Sequence, residues 1–210
     1  VQERQIQLLE EAASALPFEV GTFEVRISNT VQEHMEPDAF FGEQYRVLKE
    51  GGVCLVLSAR RGISVDADCI SARSRCEEAV WARVADRIEK FRREHGVGQY
   101  AMRESELPSV MERYGFKQIS TDYLVVNLTP DNPGNSRALA HAMINANRQT
   151  ELDAVSALSR IAPDAVQSAE VEEMLRGVNS RYDRRIQLYD KGEKQWDTVV
   201  SMTMVLRGVK

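Results

Sequence analysis

The stretch from residue 23 to residue 58 constrains the fold most, because it has the pattern of a strand, a helix, a glycine pair and a second strand. Phe23 to Ser28 alternates β-forming residues, and Glu36 to Leu48 has helical spacing of apolar residues. Gly51-Gly52 ends that helical segment, and Val53 to Ser58 is an apolar run typical of a parallel strand covered on both faces. Parallel strands need a crossover connection, which is usually a helix. The stretch therefore predicts a βαβ unit and an α/β fold.

Helical and strand patterns alternate along the rest of the chain. Further helices are predicted at 3–13, 73–93, 106–114, 136–149, 151–161 and 168–190, and further strands at 117–128 and 198–206. Turn-forming residues are dense at 129–136 and mark a boundary. We therefore expect an α/β core formed by residues 1–128 and 196–210, with a helical insert or lid at 129–195.

Composition limits the classes of partner. The 210 residues include 27 basic and 32 acidic side chains, a formal charge of −5 that argues against a nucleic-acid partner. No apolar run approaches the ~20 residues that span a bilayer, so no membrane association is expected. Three cysteines without Cys-x-x-Cys spacing favour reduced thiols and a cytoplasmic location, and three scattered histidines predict no metal site.

Four short motifs occur in order between residues 14 and 58. They are Ser14-Ala15-Leu16-Pro17-Phe18, Gly21-Thr22-Phe23-Glu24-Val25, Gln32-Glu33-His34-Met35 and Tyr45-Arg46-Val47-Leu48-Lys49-Glu50-Gly51-Gly52. Their order and spacing resemble the pattern A-L-P-F, G-S-F-D-V-V, L-E-H and R-V-L-K-P-G-G of class I S-adenosylmethionine-dependent methyltransferases, of the type 11 group that acts on small molecules. More loosely, residues 106–116 are similar to the family's late helix and its turn into the sixth strand, and residues 196–206 to the seventh strand.

The resemblance implies a Rossmann-like, doubly wound sheet with cofactor and substrate above the carboxyl ends of the strands. The implied cofactor is S-adenosylmethionine, and the implied activity is methyl transfer to a small-molecule acceptor. By the same resemblance, Asn29, Thr30 and Val31 should lie beside the methionine part of the cofactor. The segment Ala13, Ser14 and Ala15 should approach the adenine.

Two features of the family are not found in the 210 residues: the first strand with its Gly-x-Gly-x-Gly turn, and the acidic residue that ends the second strand. Three explanations stay open, namely residues omitted from a longer protein, a site completed by a partner subunit, and a domain swap. An unpaired edge on strand 23–28 would favour a homodimer or a heteromeric partner. The alternative function is a non-catalytic, methyltransferase-like subunit that stabilises or regulates a partner.

Candidate acceptor-binding residues follow both strands of the βαβ unit. His34 lies just past a strand end, where it either contacts the cofactor or acceptor or caps the next helix. Arg60 and Arg61 directly follow the apolar strand, where they either clamp a carboxylate or phosphate or form a solvated loop pair. No catalytic residue can be assigned from the sequence.

A second set of candidates lies in the insert. His141, Asn145 and Arg148 are spaced i, i+4, i+7 and share a helix face. Such a polar stripe is either a lid over an acceptor or a solvated face. On the lid interpretation, the insert and helix 73–93 shape the acceptor site, and the arginines favour a polar or anionic acceptor.

Overall fold

A computed structural model describes residues 13–210, whose four strands form one sheet in the order β1-β2-β4-β3. The strands are β1 (Phe23–Asn29), β2 (Leu48–Val65), β3 (Lys117–Leu128) and β4 (Thr198–Val209). The helices are α1 (Pro37–Val47), α2 (Asp68–Ser71), α3 (Arg75–Glu94), α4 (Leu107–Arg113), α5 (Arg137–Ile161) and α6 (Ser168–Asp190), and a 3₁₀ turn covers Gln32–His34. The predicted helix at 3–13 lies, except for its last residue, outside the described residues.

The predicted βαβ unit is confirmed, and with it the α/β fold class. β1 and β2 are parallel and hydrogen-bonded, with Asn29 opposite Leu57 at the carboxyl end of β1. α1 connects them, with Pro37 in its first turn and Phe40 and Phe41 fully buried. The sequence pattern is sufficient here because the apolar residues of both strands and of the helix fall on faces that pack together.

The glycine pair has a different place from the one predicted. Gly51 and Gly52 lie inside β2, which begins at Leu48, rather than in a loop before it. Pairing with β1 shifts between Phe23 and Val25, so that a step of two residues along β1 spans five along β2. Gly51 has φ +75°, a conformation that suits glycine and allows the extra residues to bulge out of the strand.

Two other predictions of element boundaries were wrong, and one short helix was missed. β2 continues to Val65, so Arg60 and Arg61 lie within a strand rather than in the loop after it. The helices predicted at 136–149 and 151–161 are one helix, α5, because no glycine or proline interrupts it and Thr150 bonds the Ala146 carbonyl within the helix. The short helix α2 was not predicted.

The described chain forms two compact units. The first contains residues up to Arg60 together with 97–124 and 203–210, and the second contains 61–96 and 125–202. The predicted insert at 129–195 lies within the second unit, which also includes α2 and α3. β2, β3 and β4 each contribute residues to both units.

The core of the first unit is aliphatic and aromatic. Its buried side chains come from α1, α4, β2, β4 and the turn before β3, and they include Phe40, Phe41, Leu48, Cys54, Val56, Leu107, Val110, Met111, Phe116, Met204 and Leu206. Phe41 stacks on Tyr114 with ring centroids 5.5 Å apart, and Tyr45 meets Phe116 edge-on at 5.1 Å. These contacts hold α1 in place beside the parallel strand pair.

The second unit is mainly helical and includes buried ion pairs. Arg181 of α6 donates to Glu77 of α3 at 2.7 Å and to Glu151 of α5 at 2.9 Å. One turn later, the fully buried Arg185 bonds Asp131 and Asp197. Within residues 13–210, no helix has the length and apolar character needed to cross a membrane.

Candidate functional site

The carboxyl end of β1 brings a polar turn next to a buried serine inside β2. The Thr30 N–H donates to the Leu57 carbonyl at 2.9 Å, which places residues 30–34 beside the β2 residue that follows Leu57. That residue, Ser58, is buried, and Thr30 has φ 53°, in the left-handed region. In open α/β sheets, ligands bind at this end of the parallel strands.

Gln32 is fully buried and connects three segments of this site. Its Oε1 lies 3.3 Å from the Ser58 hydroxyl, and its Nε2 donates to the Tyr100 carbonyl at 3.0 Å. The Ser58 Oγ also lies 3.1 Å from Oε2 of Glu33. A hydroxyl has one hydrogen, so Ser58 donates to one acceptor at a time, and the charged carboxylate makes the stronger bond.

Two hydrogen bonds donated by backbone N–H groups hold the segment 98–100 against the same turn. The Tyr100 N–H donates to the Glu33 carbonyl at 3.1 Å, and the Gly98 N–H donates to Nδ1 of His34 at 3.2 Å. Since Nδ1 accepts that bond, the imidazole is neutral in this arrangement and its proton is at Nε2. His34 therefore presents a hydrogen-bond donor to solvent. The predicted alternative, that His34 caps α1, is wrong, because the Glu36 side chain caps it by accepting from the Ala39 N–H.

The loop before β1 is fixed by an ion pair on α1. Glu43 accepts from the Leu16 N–H at 2.7 Å and from Arg46, which in turn donates to the carbonyls of Leu16 and Phe18. The hydrogen bond from Arg46 lowers the pKa of Glu43 below its usual value, although burial acts in the opposite direction. This clamp leaves Ser14 and Ala15 exposed and Ala13 half-buried.

Among the predicted cofactor residues, Asn29 and Thr30 are exposed and Val31 is half-buried. Thr30 uses its hydroxyl on the Asn29 carbonyl, whereas the Asn29 amide has no hydrogen-bond partner in the described part of the chain. The Ser14 hydroxyl likewise has none there. Both segments belong to the first unit.

The predicted acceptor residues are divided between the two units. His34 belongs to the turn after β1, while Arg60 and Arg61 are exposed within β2. His141 Nε2 lies 2.9 Å from Asp190, and Arg148 donates to Asp183 at 2.7 Å, so both side chains connect α5 to α6. Asn145 is exposed on α5. His141 and Arg148 are thus engaged in helix pairing and are not part of a fully solvated face.

Sequence reasoning missed Gln32, Glu33, Ser58 and the segment 98–100. A signal was available for Ser58, a polar residue that ends an apolar run at the carboxyl end of a strand. For the segment 98–100 there was none, because its position depends on backbone hydrogen bonds. Within the same residues 13–210, no group of three or more His, Cys, Asp or Glu side chains is arranged to hold a metal ion.

Comparison with known proteins finds a family match for the first part of the chain. Residues 1–56 match the family described as "Methyltransferase domain". That match covers the loop before β1, β1 itself, α1 and the first half of β2. No curated protein matches the chain.

Similar solved structures have low sequence identity. The chain is similar to phosphoethanolamine N-methyltransferase 2 of Haemonchus contortus in complex with S-adenosyl-L-methionine, at 16% identity and a TM-score of 0.37, over 95% of this chain and 36% of that one. It is also similar to a SAM-dependent methyltransferase from Thermotoga maritima, at 20% identity and a TM-score of 0.36, over 58% of this chain and 50% of that one. The chain thus spans a third to a half of the length of these proteins. Over residues 1–56, the family match confirms the resemblance to class I S-adenosylmethionine-dependent methyltransferases.

Proposed function

We propose that this chain takes part in S-adenosylmethionine-dependent methyl transfer to a small polar acceptor. The observation that carries the proposal is the polar turn at the carboxyl end of β1, which lies inside the stretch that matches the methyltransferase family. Ligands of open α/β sheets bind at this end of parallel strands. The activity, acceptor and partners of the whole protein are part of the same proposal.

The described residues could contact two parts of S-adenosylmethionine, its methionine end and its adenine. The Asn29 amide, which has no partner among residues 13–210, and the left-handed turn at Thr30 offer polar groups for the methionine end. Ala13, Ser14 and Ala15 would face the adenine, with exposed Ala15 giving apolar contact and Ser14 a hydroxyl. Bound S-adenosylmethionine supplies a methyl group on a sulfonium sulfur.

The work of the chain's own residues is then to hold the acceptor in line with that methyl group. The bond from Gln32 Nε2 to the Tyr100 carbonyl and the bond from the Ser58 hydroxyl to Glu33 keep the turn rigid, and the exposed Nε2–H of His34 offers a donor to the acceptor. An anionic acceptor, which the sequence favours through Arg60, Arg61 and Arg148, has less support, because Arg148 is paired with the Asp183 carboxylate.

The test is isothermal titration of the 210-residue chain with S-adenosylhomocysteine. We expect micromolar binding, weakened several-fold in Asn29→Ala because a hydrogen bond to the ligand is lost. Asn145→Ala is the matched control, since it removes an exposed amide in the second unit. A folded chain that does not bind the compound would contradict the proposal and favour the non-catalytic alternative.

A further inference from the structure

Within residues 13–210, Glu33 differs from most buried or half-buried carboxylates because no arginine or lysine side chain pairs with it. Within residues 13–210, the Glu33 carboxylate accepts one hydrogen bond, from the Ser58 hydroxyl. Comparably buried carboxylates in the described part of the chain are paired with arginine, namely Glu43, Glu77, Asp131, Glu151, Glu170 and Asp197. Among the described residues, Glu33 is therefore a carboxylate without a cationic partner at the end of the parallel strand pair.

This arrangement has an energetic cost unless a cation joins it. A carboxylate that is partly removed from water loses solvation, and a single hydroxyl bond replaces little of it. Ser58 donates to Oε2 of Glu33, and Oε1 accepts no hydrogen bond from the described residues. Position is restricted as well, since the Glu33 carbonyl accepts from the Tyr100 N–H and the neighbouring Gln32 is fully buried. The carboxylate is therefore held in place with one oxygen available.

We propose that Glu33 binds a protonated amine or another ammonium group on the methyl acceptor. This inference rests on the proposed function and adds the charge of the acceptor to it. A carboxylate and an ammonium group form a charge-assisted hydrogen bond, which is about twice as strong as a neutral one. The adjacent His34 adds a neutral donor, which suits an oxygen on the same molecule.

The experiment compares three probes of the same size and different charge. The ¹⁵N-labelled chain, with S-adenosylhomocysteine present, is titrated at pH 7 with n-butylamine, n-butanol and butyrate, and binding is followed by amide chemical shifts. We expect butylamine to bind about ten-fold more tightly than the other two probes. Tighter binding of butyrate would overturn the inference and favour an anionic acceptor held by Arg60 or Arg61. Absence of binding by all three probes would overturn it as well.

Variants separate this inference from the proposed function. In Glu33→Gln the preference for butylamine should fall about ten-fold, while Glu33→Asp should keep part of it because the charge remains. Glu50→Gln removes an exposed carboxylate in the same unit and should change nothing. Binding of S-adenosylhomocysteine is measured on each variant and should stay within two-fold of the wild type, roughly the effect of a distant surface change. If the wild type does not bind S-adenosylhomocysteine, the proposed function is contradicted. If Glu33→Gln keeps the full preference for butylamine, this inference alone is contradicted.

Discussion

At the scale of single residues, Gly52 must be a glycine because there is no room for a side chain, and not because its backbone conformation requires one. It lies in the bulge of β2, where an added Cβ would lie 2.8 Å from the Lys49 carbonyl oxygen and 3.2 Å from the Phe23 carbonyl oxygen. Both are backbone atoms, so they can move only if the strand moves. The sequence shows a glycine pair, but it does not show that the second glycine is enclosed by the backbone of β1 and β2.

Replacing this glycine should therefore destabilise the protein. We expect Gly52→Ala to lower the free energy of unfolding by about 2 kcal/mol, because the strand must shift to admit a methyl group. Gly42→Ala is the control: it lies within α1 with no atom near the added Cβ, and it should stabilise by ~0.5–1 kcal/mol. Urea unfolding of both variants measures the two changes in the free energy of unfolding. Equal effects of the two substitutions would contradict the enclosed position of Gly52.

The cysteine thiols should differ in reactivity. Burial raises the pKa of Cys54 to about 12, so almost no thiolate forms there at pH 8. Burial and the neighbouring Glu173 carboxylate raise the pKa of Cys76 too, but this thiol is only half-buried in the first turn of α3, whereas Cys69 is buried in α2. We expect Ellman's reagent to label one thiol of the native chain quickly and Cys76→Ser to abolish that fast phase. Fast labelling that persists in Cys76→Ser would show that another thiol is accessible.

At the scale of elements, the helices of the second unit are joined by charged side chains as well as apolar ones. Glu77 does two things: it completes the capping box of α3 with Ser74, and it pairs with Arg181 of α6. Gly177 of α6 packs against the Glu77 carboxylate, since an added Cβ would lie 3.2 Å from its Oε1. A carboxylate so enclosed cannot readily move away when its partner is removed.

Neutralising Glu77 should weaken this helix contact. Glu77→Gln leaves the buried Arg181 with Glu151 alone, and we expect it to lower the free energy of unfolding by about 2–3 kcal/mol. Glu78→Gln provides the matched control, because Glu78 is the exposed neighbour in the same helical turn. Both are measured by urea unfolding. A Glu77→Gln variant as stable as Glu78→Gln would mean that the pair contributes no net stability.

Elements were predicted better than the contacts between them. The helix predicted at 168–190 has the same bounds as α6, because apolar periodicity and local capping act within one segment. The length of β2 could not be found in this way, since residues 59–65 are mostly exposed and lack an apolar pattern. His141 and Arg148 were correctly placed on one face of a helix, but their partners Asp190 and Asp183 lie on another helix. Contacts of this kind depend on tertiary packing, which a single sequence does not specify.

At the scale of the whole molecule, lowered carboxylate pKa values occur in both units. Hydrogen bonds from arginine lower the pKa of Glu43 and Glu106 in the first unit and of Asp190 in the second. For Glu77, burial raises the pKa, but the bonds from Arg181 and Ser74 outweigh it and the net direction is downward. In each case the folded state favours the ionised carboxylate more than the unfolded state does.

Stability should therefore fall at acid pH. A carboxylate with a lowered folded pKa contributes stability above its unfolded value, about 4, and that contribution is lost as the pH falls through the folded pKa. We expect urea midpoints to be nearly constant from pH 7 to about 5 and to decrease below about pH 4.5. In ~1 M salt the part due to exposed pairs such as Arg103–Glu106 should shrink, while the part due to buried Glu77 should persist. The Glu77→Gln variant should then show a shallower decrease than Glu78→Gln, and midpoints that stay constant down to pH 3 would contradict this assignment.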